Sequence, residues 1–342
     1  MIIRSRAPLR LSLAGGGTDI AEYADIFGGG ILNSTINMYA HATITPRDDG
    51  KIVLHAVDRG DREELDAEPK LDLSGPLLLA RGVYNRIVAD YNDGVPLSFE
   101  LTTTVDAPAG SGLGSSSTLV VAIIGAFAEW LRLPLGEYDV AHLAYVVERI
   151  DLGQAGGRQD QYAAAFGGWN FMEFYRDDKV IVNPLRVRDP SVRELEFKLV
   201  LYYTGTSRLS SRIIEHQISN LQSRSQRSLE GMHHLRDQAY QMKEALLTGK
   251  LDRIGEILDF GWESKKATAA DVSNDEIDQL YSAARGAGAT GGKISGAGGG
   301  GYMMFYCPGN TRFQVIDMLR EFGGEVHRLE FRECGASSWT TR

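Results

Sequence analysis

The sequence predicts an α+β protein of two domains, on three observations. Residues 1–110 read mainly as strands. A Gly/Ser-rich loop at Pro108–Ser117 then runs directly into a strongly apolar segment. The second half mixes amphipathic helices with a few short strands. At roughly 100–200 residues per domain, a chain of 342 residues fits two. The polar stretch around Asp177, Asp178 and Pro190 places the boundary near residues 180–195, giving domains 1–190 and 191–342.

Leu9, Leu11 and Leu13 alternate with Arg10 and Ser12, which predicts a strand with one buried face and Arg10 on the opposite side. Ile31–Thr45, Ile52–Val57 and Leu97–Val105 read as further strands. Ser115, Ser116 and Ser117 are suited to cap the helix expected over Thr118–Leu131. A helix is also expected over Tyr138–Arg149, followed by the glycine-containing stretch to Gly157 and then Asp160–Phe166, and a strand over Phe197–Tyr203. From Ser210 to Leu246 apolar residues recur at helical spacing, as at Ile214, Ile218 and Leu221. Ser273 and Glu276 have the spacing of a capping box. Strand Tyr302–Cys307, helix Thr311–Phe322 and strand Glu325–Phe331 complete the reading.

Lys and Arg number 36 against 45 Asp and Glu, a formal net charge of −9, so nucleic acid is not an expected partner. The longest apolar run, Thr118–Leu131, contains Glu129 and is shorter than the roughly 20 residues needed to cross a bilayer. Cys307 and Cys334 have no Cys or His neighbours at metal spacing and cannot build a disulfide framework. A cytoplasmic protein with no membrane partner is expected. Glycine is the outlier: 39 residues, about 11% against an average near 7%. It clusters at 15–17, 28–30, 110–114, 153–157 and 286–301, as binding loops do.

Pro108, Gly110, Ser111, Gly112, Leu113, Gly114, Ser115, Ser116 and Ser117 form the strongest local signal. Alternating glycines lead into serines at a helix N-terminus, where free amides and the positive helix end favour phosphate. No lysine occurs between Leu71 and Asp178, so this is not a Walker A loop. Gly296-Ala-Gly-Gly-Gly-Gly301 matches a dinucleotide fingerprint formally, but the strand-like Tyr302–Tyr306 follows where a helix would be needed. Ser295–Gly301 is read instead as a loop packing against another binding loop. Asp259-Phe260-Gly261 mimics a kinase triplet but lies in a helical pattern. His233 and His234 are expected on a solvated helix face. Phosphoryl transfer needs a metal ligand besides serine, a group to orient the nucleophile and a cation. Glu148, Asp160 and Arg10 are candidates for those three positions.

Three motifs occur in order: Ala7-Pro-Leu-Arg10 through Gly15-Gly-Gly-Thr-Asp19, then Pro108–Ser117, then Lys293-Ile-Ser-Gly-Ala-Gly-Gly-Gly-Gly301. Together they resemble the galactokinase, homoserine kinase, mevalonate kinase and phosphomevalonate kinase (GHMP) superfamily, over nearly the whole chain. Arg10 and Thr18-Asp19 resemble its sugar-kinase branch. Gly157-Arg-Gln-Asp-Gln-Tyr-Ala-Ala-Ala-Phe-Gly-Gly168 is similar to the kinases of D-glycero-D-manno-heptose 7-phosphate within that branch. The resemblance implies an N-terminal ribosomal-S5-like domain, a C-terminal ferredoxin-like domain and an active site between them. It also implies ATP and Mg²⁺, phosphorylation of the anomeric hydroxyl of a sugar phosphate to the 1,7-bisphosphate, and a place on the route to GDP-heptose and surface polysaccharide. A homodimer is left open.

Carried onto this chain, Asp160 resembles the family's catalytic aspartate and Arg10 its sugar-kinase arginine. Ser116 and Glu148 resemble the Mg²⁺ ligands, and Pro108–Ser117 the loop for the ATP phosphates. Gly16, Gly17, Thr18 and Asp19, with Gln159, Gly296 and Gly298, are expected on the acceptor side. Galactokinases place His where this chain has Gly17, which departs from galactose-type recognition. A phosphorylated acceptor needs local positive charge in a chain of net charge −9. Arg158, Arg208 in Thr204-Gly-Thr-Ser-Arg208, Lys265, Lys266 and Lys293 are the candidates, with Lys265 and Lys266 read more readily as solvated surface residues. Alternatives are a kinase of the same family acting on fucose or an unphosphorylated heptose, and a catalytically silent nucleotide-binding sensor.

Overall fold

The structure, a computed structural model, describes residues 1–206 and 210–341. Its first half runs β1 (Ile2–Ala14), α1 (Ala21–Phe27), β2 (Gly29–Pro46), β3 (Lys51–Ala56), β4 (Asp61–Asp66), α2 (Leu78–Tyr91), β5 (Phe99–Val105), α3 (Ser115–Leu131) and α4 (Glu137–Tyr145). A π-helical turn, Val146–Asp151, extends α4. Then come α5 (Gln159–Phe166), β6 (Trp169–Phe174) and β7 (Val180–Pro184). The second half contributes α6 (Asp189–Lys198), β8 (Leu199–Tyr203), α7 (Ser210–Gln222), α8 (Gln226–Thr248), α9 (Arg253–Lys266), α10 (Asp275–Gly286), β9 (Gly291–Ile294), β10 (Tyr302–Tyr306), α11 (Arg312–Arg320), β11 (Glu325–His327), β12 (Phe331–Arg332) and β13 (Ser337–Thr341).

Two sheets result. The larger has nine strands, in the order β13-β1-β2-β5-β3-β4, with β6 and β12 also paired to β2 and β7 paired to β6. The smaller is antiparallel, in the order β11-β8-β10-β9. One face of the large sheet packs on α2, α3, α4 and α5 through residues such as Val83, Val120, Ile124, Phe127 and Ala163. Its other face, with Leu9, Leu11 and Leu13, joins α8, α9 and the small sheet in a second core through Met242, Leu258 and Met304. β1 is therefore buried on both sides: the leucines face one core, and Arg10 and Ser12 are buried on the other. The expectation of one buried face counted only the apolar half of the alternation.

Several boundaries differ from the sequence reading. Phe197 and Lys198 end α6 rather than opening a strand. The helical run after Ser210 breaks at Ser223–Ser225 into two helices, the second capped by Ser225. Asn274, not Ser273, caps α10 by accepting from the Ile277 amide, while Ser273 Oγ donates to Asp278. The stretch expected as one strand over Glu325–Phe331 supplies two short strands to different sheets. His233 is half-buried, its Nδ1 2.8 Å from the Tyr23 hydroxyl, and only His234 is exposed. Asp259-Phe260-Gly261 lies inside α9. The expected 190/191 boundary falls in the first turn of α6, yet β12 and β13, from beyond it, complete the large sheet against β2 and β1.

Candidate active site

The Gly/Ser loop is fixed before the site is built. Gly114, in the left-handed region, precedes α3, so the serines are its first residues rather than its cap. The amides of that first turn have no intrahelical acceptor and point out of the helix end. Leu113 anchors the loop in the core, and its carbonyl accepts from the Arg10 amide at 3.1 Å. From the second half, the Tyr302 amide donates to the Ser111 carbonyl at 2.9 Å and Ser295 Oγ to the Gly112 carbonyl at 2.9 Å. Gly112 has φ +86°, and a Cβ there would overlap the Ser295 carbonyl. The Ser295–Gly301 loop thus packs on the Gly/Ser loop backbone to backbone. Gly112→Ala is accordingly expected to lower the melting temperature and nucleotide affinity together, which thermal unfolding and calorimetric titration would check.

These two loops, the turn after β1, α5, α7 and the π-helical turn enclose a cleft of about 540 Å³. Two pairs of side chains converge on it. Arg10, 3% exposed at the strand level, donates through Nε and Nη2 to Asp160 Oδ1 at 2.7 and 2.6 Å, and through Nη1 to the Gly112 carbonyl at 2.6 Å. Asp160 sits in the first turn of α5, and its Oδ2 lies over Gly114 at the cleft. Ser116 Oγ donates to Glu148 Oε1 at 3.1 Å. Glu148 is 1% exposed, and its Oε2 accepts from Gln161 Nε2 at 2.6 Å. A buried carboxylate and a hydroxyl facing one point are hard oxygen donors of the kind Mg²⁺ takes in ones and twos, with phosphate and water completing its octahedron. The donor set therefore fits that ion. Among the described residues there is no cluster of three or more His, Cys, Asp or Glu side chains suited to a metal.

The acceptor side is assembled more selectively. Gly17, Asp19, Gln159 and Gly296 line the cleft. Asp19 is buried against the bare Gly157 backbone and accepts from the Gln159 amide at 3.0 Å. Gly16 lies behind the wall, Thr18 donates to the Gly15 and Gly30 carbonyls, and Gly298 packs on Val272. Arg158 does not reach the cleft: its guanidinium is committed to Asp25 and the Tyr175 carbonyl, both at 2.7 Å. Pro108, Ser111 and Leu113 support the loop without lining the cleft, whereas Gly110, Gly112, Gly114 and Ser115–Ser117 line it. Arg208 lies outside the described residues.

Two lysines expected from charge alone have different fates. Lys266 is paired with Glu263 at 2.7 Å at the surface. Lys265 is 2% exposed and lines the cleft, with Nζ donating to the Gly16 carbonyl at 3.2 Å, which overturns the solvated reading. Lys293 is buried just behind it and donates to the Ser12 carbonyl at 3.0 Å. Burial pushes Lys265 down to about 8, opposed by Asp19 and reinforced by Arg10. Burial, with Lys265 and Arg10 nearby, pushes Lys293 well below the ordinary lysine value. Arg149 also lines the cleft, and Gln161 donates to Glu148 behind it; neither has a local signal in the sequence.

The fold and the cleft define a phosphoryl-transfer architecture, and the comparisons give its class. Residues 79–168 match the GHMP kinases N terminal domain and residues 242–325 the GHMP kinases C terminal family. The chain belongs to the GHMP kinase family; it has that fold and is a phosphotransferase. It is 48% identical, over 98% of both chains, to the D-glycero-alpha-D-manno-heptose 7-phosphate kinase of Campylobacter jejuni. The solved structure of a D-glycero-D-manno-heptose 1-phosphate kinase from Bacteroides thetaiotaomicron matches 99% of both chains, with a TM-score of 0.84 and 45% identity. A galactose-bound Lactococcus lactis galactokinase shares the fold over 98% of this chain and 95% of its own, with a TM-score of 0.77 at 19% identity.

Proposed function

We infer that this kinase transfers the γ-phosphoryl group of ATP to the anomeric hydroxyl of D-glycero-D-manno-heptose 7-phosphate, giving the 1,7-bisphosphate and ADP. The observation that carries the reading is the convergence of Arg10–Asp160 and Ser116–Glu148 on one cleft behind an anion-binding helix end. The Gly/Ser loop holds the nucleotide phosphates on the first-turn amides of α3. Ser116 and Glu148 hold Mg²⁺, which when bound neutralises charge on the phosphates. Asp160 Oδ2 accepts the proton of the anomeric hydroxyl as the new O–P bond forms and the bond to the ADP oxygen breaks. Arg10 holds that carboxylate in place. Asp19 holds acceptor hydroxyls. A Cβ at Gly157 would overlap Asp19 Oδ2, so Gly157→Ala is expected to raise the acceptor KM about tenfold and leave the nucleotide KM near wild type. Steady-state kinetics with each substrate varied would check this.

The relatives' names differ on where the acceptor's phosphate lies, and the acceptor is decided by an ADP-release assay with MgATP. The panel is heptose 7-phosphate, heptose 1-phosphate, unphosphorylated heptose, mannose, fucose and galactose. Selective turnover of the 7-phosphate, with a product carrying phosphate at both ends, is the expected result. Turnover of a neutral sugar alone would remove the phosphorylated acceptor and keep the kinase. ATP binding without turnover of any sugar would make the protein a nucleotide sensor.

A further inference from the structure

A triphosphate carries several negative charges into this cleft, whose charged lining already includes Asp19, Glu148, Asp160 and Glu215. The compensating cations are few. The chain has no lysine from Leu71 to Asp178, so the phosphate loop supplies none. Arg10 is engaged by Asp160, and Lys265 stands at the Gly16 turn on the acceptor side. Among the described residues lining the cleft, the remaining cation is Arg149, next in sequence to Glu148 on the π-helical turn.

We propose that Arg149 contacts the nucleotide's phosphates and serves as the cation that the Gly/Ser loop lacks. Its Nε donates to the Gly157 carbonyl at 3.2 Å, fixing the plane of the guanidinium. Nη1 lies 3.8 Å from Glu148 Oε1, near enough for attraction and too far for a hydrogen bond. The other N–H groups have no acceptor among the described residues, although the side chain is only 13% exposed. A planar fork held at one nitrogen and free at two is suited to phosphate oxygens. Gly156 is part of the same device: a Cβ there would overlap the guanidinium carbon, so the arginine rests on bare backbone. The glycines of 153–157 include one that seats a charge, not only a turn. The inference rests on the reading that the nucleotide occupies the Gly/Ser loop.

The test is a double-mutant cycle read by calorimetric titration of a non-hydrolysable ATP analogue with Mg²⁺, on the full chain. Arg149→Met is expected to weaken binding at least tenfold, with melting temperature and acceptor KM close to wild type. Arg149→Lys recovers part of the loss, because the charge returns without the fork. Gly156→Ala weakens binding while every charge is retained, and combined with Arg149→Met it adds nothing further. An Arg149→Met protein that is folded and binds the analogue within twofold of wild type overturns the proposal. Additive losses from the two substitutions overturn the seating role of Gly156. Wild-type protein that fails to bind the analogue would instead overturn the proposed function, and the wild-type titration separates the two failures.

Discussion

Asp160→Asn is expected to lower kcat by about 10³-fold while nucleotide binding and folding stay near wild type. The substitution is nearly isosteric, and its amide oxygen can still accept from Arg10 Nε and Nη2, so the ends of β1 and α5 remain joined. What disappears is the anionic oxygen over Gly114, to which the proposed mechanism assigns the acceptor proton. Two measurements check this: single-turnover ADP release, and titration with the ATP analogue. Normal turnover in a folded variant would show that Asp160 only holds Arg10 in place. Loss of nucleotide binding as well would show that the pair builds the phosphate loop rather than the acceptor site.

Lys265→Met is expected to stabilise the unliganded protein at pH 7 by about 3 kcal/mol and to flatten the rise in its stability at alkaline pH. Lys265 is buried with a single carbonyl partner and no carboxylate within ion-pairing distance among the described residues, so its charge is poorly compensated. Its ammonium titrates near 8 in the folded chain, with Asp19, Arg10 and the neighbouring Lys293 facing it, against roughly 10.4 in the unfolded chain. Below pH 8 both states are protonated and the cost of burial is present in full. Between about 8 and 10.4 the unfolded state binds more protons, so wild-type stability rises with pH through this window and the variant lacks that contribution. Urea unfolding of both proteins from pH 7 to 10, compared as a difference, isolates the effect from other titrations. A variant less stable at pH 7 with an unchanged slope would show that Lys265 is adequately compensated. If the lysine serves the acceptor, the stabilised variant will also have a raised acceptor KM, an exchange of function for stability.

The parts of this site legible in the sequence are those whose chemistry is local. The Gly/Ser loop announces itself because glycine spacing and a following helix sit within ten residues. Arg10 is marked by alternation within one strand, and α3 by its apolar run. Lys265 reads as a surface residue because lysine is one by default, and its partner is a carbonyl 249 positions away. A signal existed: it lies three residues after Trp262 and seven after Leu258, on the buried face of α9. Arg158 failed in the opposite direction, since its partner Asp25 is 133 positions away and nothing nearby distinguishes a substrate cation from a structural one. Arg149 was hidden beside a stronger candidate, Glu148. The pairing of β12 and β13 with the first strands left no local trace either, because strand partnership is decided by the fold as a whole.

That last pairing bears on how the protein is made. The edge of β1, the strand that carries Arg10, is closed by residues 337–341, and β2 is flanked by 331–332. A ribosome that has released the first 190 residues has therefore exposed an unfinished sheet, with open backbone on β1 and the leucine face of β1 awaiting α8 and β10. An open strand edge beside an apolar face is the kind of surface that favours aggregation until the closing strands dock. The strand that places Arg10 is thus completed by residues more than 300 positions further along the chain.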